Sequence, residues 1–272
     1  MTTLAPAAAP TAAGQRGAQL GWAVADTFTV AGRNLRTIVR LPQLLVFSTI
    51  QPVIFVLLFR YAFGGAIRSA PGVRYVDFLI PGIFAQTVTF GAMSTGVGLA
   101  DDLQKGLIER FRSLPMARSA VLGGRIVSDL VRNVFVVLLM CIVGYAVGFR
   151  VHTNPLAFSG GLVVILLFAC SLSVIFALIG LSVGSAEGAQ AAAFPALAPL
   201  VFASSAFVPV ATMPGWLQVF ARNQPLSVTV DAVRALSIGG PTTRPVVQSL
   251  LWTAGIIAVF GPLAVRRYRR TT

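Results

Sequence analysis

The sequence predicts an all-α membrane protein with six membrane-crossing helices, and three observations support this prediction. Only 11% of the 272 residues are charged, whereas 56% are hydrophobic, and the mean hydropathy is +0.83. A soluble domain usually has about a quarter of its residues charged, so lipid must be the main solvent of this chain. A helix needs about 20 apolar residues to cross the bilayer, and a chain of this length has room for about six such helices with their loops.

Six apolar runs are predicted to cross the membrane: residues 44–61, 75–100, 126–149, 155–183, 189–210 and 246–265. Pro52 lies within the first run, where neighbouring helices can satisfy the freed carbonyl group. Glycine and hydroxyl residues in the second run favour close packing against other helices. With both termini in the cytoplasm, thirteen basic residues fall in the inner segments and seven in the outer segments. This distribution follows the positive-inside rule.

The regions outside the crossings are short, which predicts one membrane domain over residues 42–265. Residues 1–17 are rich in Ala and Pro and are predicted to form a disordered cytoplasmic tail. Residues 18–41 mix apolar side chains with arginines, which predicts an amphipathic helix on the cytoplasmic membrane surface. A plain helical lead-in to the first crossing is the alternative. Residues 266–272 form a basic cytoplasmic tail. The net charge of +13 does not indicate nucleic-acid binding, because the basic residues flank apolar runs.

A basic segment, Lys105 to Arg125, separates the second and third crossings. Its first part has helical spacing, and Pro115 should end that helix near Leu114. Asp101 and Asp102 are interpreted as favourable charges at the N-terminus of this loop helix, and Ser119 as a cap of the following helix. A projecting helix with both charge signs predicts a docking surface. The alternative is a charged connector held at the lipid headgroups.

Residues 211–240 contain two short apolar stretches, one after Pro214 and one after Pro225. Neither is long enough to cross a bilayer. With Trp216 at headgroup depth, they predict a re-entrant helical hairpin at the outer leaflet, and an extracellular loop without a gating role is the alternative. Asp231 and Arg234 are three residues apart and should pair on one helix face.

The positions of four other polar residues suggest their roles. Asp129 and Arg132 lie near the start of the third crossing, where a local ion pair would lower the cost of insertion; a role in coupling is the sharper alternative. Glu187 is placed in the turn between the fourth and fifth crossings. His152 is interpreted as a solvated loop residue, because the neighbouring sequence offers it no Cys or acidic partner.

Catalytic and metal-binding motifs are absent from the sequence. It has no Gly-x-Ser-x-Gly elbow, no His-Glu-x-x-His pair and no Gly-x-x-x-x-Gly-Lys-Ser/Thr phosphate loop. We therefore expect no catalytic residue, no metal site and no bound cofactor in this chain.

Two separated blocks of sequence resemble one known family. The segment Glu109 to Arg118, followed by Gly123 to Asp129, resembles the central signature of ABC-2 type exporter permeases, in particular the daunorubicin/doxorubicin resistance branch. The second block comprises residues 202–210, 213–217, 223–227 and 231–236. Together with six crossings, the resemblance covers most of the chain beyond about residue 20.

The resemblance implies the ABC-2 (type V exporter-like) fold and a separate ATP-binding subunit that carries ATP and Mg. The loop helix would then be a coupling helix seated in that subunit, through Glu109, Arg110, Phe111, Arg112, Ser113, Leu114, Pro115 and Arg118. Glu187 would make a smaller second contact. The outer hairpin would cap the exit of the translocation path, through Met213, Pro214, Trp216, Leu217, Pro225, Asp231 and Arg234.

The second and fifth crossings are apolar and rich in small and hydroxyl residues, which predicts amphipathic or lipid-like cargo, such as a drug, antibiotic or lipid, moved outward from the inner leaflet or cytoplasm. Candidate lining residues are Gln86, Thr87, Thr89, Phe202, Ser204 and Ser205. We expect a multi-pass plasma-membrane protein that pairs with a second copy or a paralogous permease. Polysaccharide or glycolipid cargo remains an alternative. Two further alternatives are a membrane anchor and a secondary transporter, which would need ion-coupling carboxylates within the membrane.

Overall fold

The computed structural model describes residues 27, 29–32, 42–65, 73–107 and 118–270, and the regular elements in these ranges are helical. This confirms the all-α class. The long helices are α1 (Pro42–Leu57, continued by a π-helical turn, Leu58–Ala62), α2 (Tyr75–Gln104), α3 (Arg118–Ala146), α4 (Pro155–Val183), α5 (Ala186–Phe202) and α8 (Thr243–Arg270). A 3-10 turn (Val210–Thr212) and two short helices, α6 (Gly215–Asn223) and α7 (Pro225–Ile238), lie between α5 and α8.

Helix α2 is the centre of the bundle. It has 30 residues and is therefore about 45 Å long. Helices α1, α3, α4, α5 and α7 all pack against it, so most of its side chains are buried. Its closest neighbour is α4, and the two backbones touch where Gly96 faces Gly180. A Cβ atom on either glycine would collide with a backbone carbonyl of the opposite helix, as expected for membrane helices that pack through small residues.

Four helices of the described residues are long and apolar enough to cross a membrane: Tyr75–Gln104, Leu122–Ala146, Pro155–Val183 and Thr243–Tyr268. A shorter apolar helix, Thr49–Ala62, precedes them. Large apolar side chains are exposed on the outside of α3 and α8, including Phe135, Ile142 and Leu251. Many exposed large apolar side chains on helices of membrane length are typical of a surface that contacts lipid or a partner.

Helix α5 is shorter than the predicted crossing over 189–210. It ends at Phe202 after 17 residues, about 26 Å, and residues 203–209 are not helical. Side chains from other elements bind the freed backbone there: Gln224 Nε2 donates to the Ala203 carbonyl (2.6 Å), and Ser227 Oγ accepts from Ser205 N–H (3.0 Å). Irregular backbone is tolerated at membrane depth when it is buried in protein and hydrogen-bonded in this way.

Several predicted boundaries differ from the structure. The interpretation of Asp101 and Asp102 as N-terminal charges was wrong, because both lie in the last turns of α2, which continues to Gln104. Ser119 lies within α3 and not before it. Glu187 is in the first turn of α5, which Ser185 caps by accepting from Gly188 N–H (3.2 Å). At the C-terminus, residues 266–270 extend α8.

Of the predicted surface helix over 18–41, only residues 27 and 29–32 are described, and they are helical. Val30 and Ala31 are buried. Val30 packs against α3 at Gly124, where an added Cβ would come within 2.7 Å of the valine Cβ. The rest of this segment and the predicted tail over 1–17 lie outside the described residues.

Candidate functional site

The predicted docking segment lies largely outside the described residues, since 108–117 are not among them and Arg118 is the first residue of α3. The structure does describe the two helices on either side of this segment. It connects the C-terminal end of α2 to the N-terminal end of α3. We call this side of the bundle the docking end, and the opposite side, where α6 and α7 lie, the hairpin end.

A buried polar cluster joins three helices near the docking end. Asp129 of α3, which is 2% exposed, accepts a hydrogen bond from Thr95 Oγ1 of α2 (2.5 Å). Thr95 Oγ1 also lies 3.2 Å from Ser173 Oγ of α4. Arg132 Nη2 is 3.4 Å from Asp129 Oδ1, which confirms the predicted local ion pair. We call Thr95, Arg125, Asp129, Arg132 and Ser173 the Asp129 cluster.

Arg132 is the more tightly held of the two arginines. Its guanidinium donates to Ser94 Oγ and, at 2.6 Å, to the Gly91 carbonyl oxygen of α2. Gly91 leaves room for the neighbouring Asn133 side chain, because a Cβ there would collide with Asn133 Oδ1, whereas Arg132 Nη2 would be 3.4 Å away. A buried cation is tolerable only when it is paired and hydrogen-bonded, and Arg132 meets both conditions.

Arg125 bridges two carboxylates at longer distances. Its Nη1 lies 3.6 Å from Asp102 Oδ2 and its Nε 3.7 Å from Asp129 Oδ2, and that Nε has no hydrogen-bond acceptor among the described residues. Gly98 makes room for the guanidinium, since a Cβ there would collide with it. The i, i+4, i+7 spacing of Arg125, Asp129 and Arg132 on α3 was a signal in the sequence for one charged face. Only the fold shows which helices that face meets.

At the hairpin end, the helices expected after Pro214 and Pro225 are present as α6 and α7. They differ in burial. On α6, Trp216 is 77% exposed and Val219 and Phe220 also point outward, whereas most of α7 is buried. Met213 and Leu217 are partly buried. The apolar outer face of α6 suits the headgroup region of a membrane, and α7 belongs to the core of the bundle.

Arg234 of α7 holds three elements together. It pairs with Asp231 (Nη1 to Oδ1, 2.8 Å), as predicted, and donates to the carbonyl oxygens of Phe78 (3.1 Å) and Ser205 (2.9 Å). Its guanidinium also stacks 3.7 Å from the centre of the Phe78 ring. Burial lowers the pKa of Arg234 to about 10, and Asp231 acts in the opposite direction. The side chain is therefore still charged at neutral pH.

The irregular segment 203–209 is fixed to α2 by further contacts. Tyr75 Oη donates to the Phe207 carbonyl (3.1 Å). A Cβ on Gly82 would collide with the backbone of Ala206, so α2 touches this segment directly. Of the predicted hairpin residues, Arg234 thus lies against the N-terminal part of α2, Asp231 accepts from Arg234 and from Ser205 Oγ (3.0 Å), and Trp216 is exposed.

The predicted path residues are mostly interior in the single chain. Gln86, Thr87, Thr89, Ser204 and Ser205 are buried, and Phe202 is 54% exposed. Thr87 and Thr89 each donate to a carbonyl one turn earlier in α2. A path lined by these residues must therefore open between helices that are packed together here.

His152 is an exposed loop residue, as predicted, but the structure gives it an acidic partner that the prediction lacked. Its Nε2 lies 3.3 Å from Oδ2 of Asp77, which is 75 residues earlier and was not visible as a neighbour in the sequence. Asp77 is 3% exposed and also accepts from Arg74 Nε (2.9 Å) and Arg150 N–H (3.0 Å). This carboxylate fastens the α3–α4 connection to the start of α2.

We expect Asp77→Ala to lower the free energy of unfolding by about 1–3 kcal/mol, because the Arg150 N–H and the Arg74 guanidinium would both lose the carboxylate that accepts from them. Denaturant titration of the detergent-solubilised protein measures this change. Asp101→Ala is the control, since its pair with Lys105 (2.7 Å) is exposed and exposed pairs contribute about 0–1 kcal/mol. Equal effects of the two substitutions would contradict the assignment.

Sequence comparison relates this chain to known proteins. A sequence model of the ABC-2 type transporter family matches residues 25–237. The chain is 35% identical over 257 residues to the daunorubicin resistance ABC transporter permease protein DrrB1 of Streptomyces coeruleorubidus, covering 94% of this chain and 90% of the relative. It is 26% identical over 253 residues to the probable doxorubicin resistance ABC transporter permease protein DrrC of Mycobacterium tuberculosis, covering 92% and 90%. A putative transport permease of Porphyra purpurea, ycf38, is 25% identical over 209 residues, covering 72% and 68%.

Proposed function

Because this chain belongs to the ABC-2 type transporter family, we propose that it is the permease subunit of an ATP-driven exporter of amphipathic or lipid-like compounds. Members of this family are membrane subunits whose ATPase is a separate polypeptide. The cargo would leave the inner leaflet or the cytoplasm and move outward. The observation that carries this proposal is the similarity, over nearly the whole chain, to permeases named for resistance to daunorubicin and doxorubicin.

The surface chemistry supports the cargo class. The exposed side chains of α3, α5, α6 and α8 include many large apolar residues, such as Phe135, Phe194, Trp216 and Leu251. An apolar compound dissolved in a leaflet can approach such a surface laterally, whereas a hydrophilic compound would require convergent polar groups. The buried Asp129 is held by Arg132 and Thr95, an arrangement that fits a structural ion pair better than the ion-coupling site of a carrier.

The proposed topology has six crossings with both termini in the cytoplasm. Four crossings correspond to α2, α3, α4 and α8. The other two would be α1 with its π-helical turn, and α5 together with the buried segment 203–209. Residues 42–62 form 21 continuous helical residues, about 30 Å, which matches the hydrocarbon thickness. A second copy, or a paralogous permease, would complete the translocation unit.

The ATPase would dock at the docking end, on residues Glu109 to Arg118. Glu187 is exposed in the first turn of α5, close after Leu181, which packs in one cluster with Leu99 of α2 and Leu122 of α3. It therefore lies at the same end of the bundle as the docking segment and suits a second contact. In the alternating-access cycle that we propose, closure of the two ATPases displaces the docking segments, the crossings tilt, and cargo leaves past the hairpin end.

Charge reversal in the docking segment tests this function. Glu109→Arg, or Arg112→Glu, should reduce co-purification of the ATPase and export of daunorubicin at least about tenfold, because an unpaired or like charge at an interface costs several kcal/mol. Cells that coexpress both subunits and are loaded with the fluorescent drug provide the measurement. Arg222→Glu, on exposed α6 at the opposite end, is the control.

Unchanged association and export in both docking variants would contradict the coupling assignment. If the wild-type complex moves a fluorescent lipid but not daunorubicin, the cargo class narrows to lipids. If it moves only a glycolipid or polysaccharide, the proposed cargo is wrong and the alternative cargo is correct.

A further inference from the structure

We propose that the Asp129 cluster is a clamp that makes α2, α3 and α4 move as one body, so that displacement of the docking segment reaches the hairpin end along α2. Its members would be positioning residues for coupling of ATP hydrolysis to export. This inference rests on the proposed function and identifies the residues by which that function transmits motion.

The first step is the junction itself. Each of three helices contributes one side chain: Thr95 from α2, Asp129 from α3 and Ser173 from α4. The Thr95 hydroxyl contacts both of the others, at 2.5 Å and 3.2 Å. All three side chains are buried. Hydrogen bonds inside a low-dielectric interior are stronger than in water, so helices joined in this way resist relative rotation.

The second step is the backbone contact beside this junction. Gly96 follows Thr95 directly and meets Gly180 of α4 so closely that neither position can accept a Cβ. Interlocked backbones of this kind cannot slide past each other without separating, because packed helices are stable in discrete positions. The glycine contact therefore fixes the register of α2 against α4, and the Asp129 cluster adds α3 to the same unit.

The third step concerns the attachment of the docking segment. Arg125 lies 3.6 Å from Asp102, so an ion pair joins the helices on either side of residues 108–117. Asp102 is two residues before the last residue of α2, and Arg125 is seven residues, or about 10 Å, after the start of α3. Because this ion pair joins α2 to α3, a displacement of the segment between them moves both helices together.

The fourth step follows α2 to the hairpin end. Phe78 is 17 residues before Thr95, about 26 Å along the helix. There the Phe78 carbonyl oxygen accepts a hydrogen bond from Arg234, and the Arg234 guanidinium stacks on the Phe78 ring. The same helix therefore carries the Asp129 cluster near one end and the contact to α7 and segment 203–209 near the other. A stiff helix transmits a tilt over this length.

The use of charge has a reason other than stability. Replacing a buried ion pair by well-packed apolar side chains is often neutral or stabilising, so stability alone does not explain two arginines here. Directional hydrogen bonds from Arg132 to Gly91 and Ser94 fix the angle between α2 and α3. Asp129→Asn keeps the shape of the side chain but removes the charge that orients both arginines.

The experiment uses the full permease with its ATPase in liposomes and measures ATP hydrolysis and transport in parallel. Asp129→Asn should retain ATPase binding and hydrolysis but move at least about fivefold less cargo per ATP, as expected for the loss of a typical coupling energy. Asp101→Asn, which removes an exposed carboxylate at the same end of α2, should keep the wild-type ratio.

Thr95 provides a second test that does not depend on the folding of Asp129→Asn. Thr95→Val is nearly isosteric and removes the donor to Asp129, so it should also uncouple, whereas Thr95→Ser keeps the hydroxyl and should restore coupling. A wild-type transport-to-hydrolysis ratio in Thr95→Val would overturn the clamp. Loss of ATPase binding in Asp129→Asn and Thr95→Val together would also overturn it, in favour of a purely structural role. Failure of the wild-type complex to bind ATPase or transport would instead reject the proposed function.

Discussion

Gly180→Ala is expected to destabilise the protein by at least about 1–3 kcal/mol, the usual cost of forcing extra atoms into a close-packed interior. The new Cβ would collide with the carbonyl oxygen of Gly96, a backbone atom that cannot rotate away as a side chain would. Helices α2 and α4 would have to separate along their main contact. Denaturant or thermal unfolding in detergent measures the loss, and Gly96→Ala should behave similarly.

Gly160→Ala on the same helix is the matched control. No atom lies within 4 Å of a Cβ built there, and alanine is favoured over glycine inside a helix by about 1 kcal/mol. This variant should be as stable as the wild-type protein or slightly more stable. If Gly180→Ala and Gly160→Ala unfold alike, the close contact of α2 and α4 does not exist in the folded protein.

The helices themselves could be predicted because their signals are local. The bounds of α4 are those predicted, since an apolar run is bracketed there by Pro155 and by Gly184, whose positive φ of 77° ends the helix. Pro214 and Pro225 likewise mark the starts of α6 and α7. The pair of Asp231 and Arg234 follows from helical spacing alone.

The features that were missed depend on residues far apart in the chain. The approach of Asp77 to His152 joins positions 75 residues apart, and that of Thr95 to Asp129 joins positions 34 apart. Helix α5 was predicted too long because the groups that end it come from another element, namely Gln224 and Ser227. No pattern within 189–210 distinguishes a helix that continues from one whose carbonyls are bound by other side chains.

In the candidate site, too, local sequence signals could be predicted and contacts between distant residues could not. The docking segment is predicted from a sequence motif and stays a prediction, whereas the contacts proposed to transmit its motion are visible only in the fold. Helix α2 is bound at two places by an arginine from another helix that donates to its backbone carbonyls: Arg132 at Gly91, in the middle of α2, and Arg234 at Phe78, near its start. Backbone acceptors carry no sequence signal, so such contacts are invisible in a single sequence.

Arg234→Met should cost about 3–6 kcal/mol, because two hydrogen bonds from a charged donor are lost at about 1.5–3 kcal/mol each. The substitution deprives the carbonyl oxygens of Phe78 and Ser205 of their donor and removes the stacking on the Phe78 ring. Asp231 contributes less to the loss, because its side chain is 45% exposed and water can replace the arginine. Unfolding in detergent should show the loss, with faster proteolysis of residues 203–209.

Two further variants separate the charge of Arg234 from its shape. Arg234→Lys keeps the charge but lacks the planar fork that reaches two carbonyls and stacks on a ring, so it should recover only part of the stability. Arg222→Met on α6 is the control, since Arg222 is exposed and, among the described residues, donates only to Gln218 Oε1 at 3.0 Å. If Arg234→Lys restores full stability, charge alone holds the segment, and the carbonyl contacts are dispensable. If Arg234→Met is no worse than Arg222→Met, then α7 is not what anchors residues 203–209 to α2.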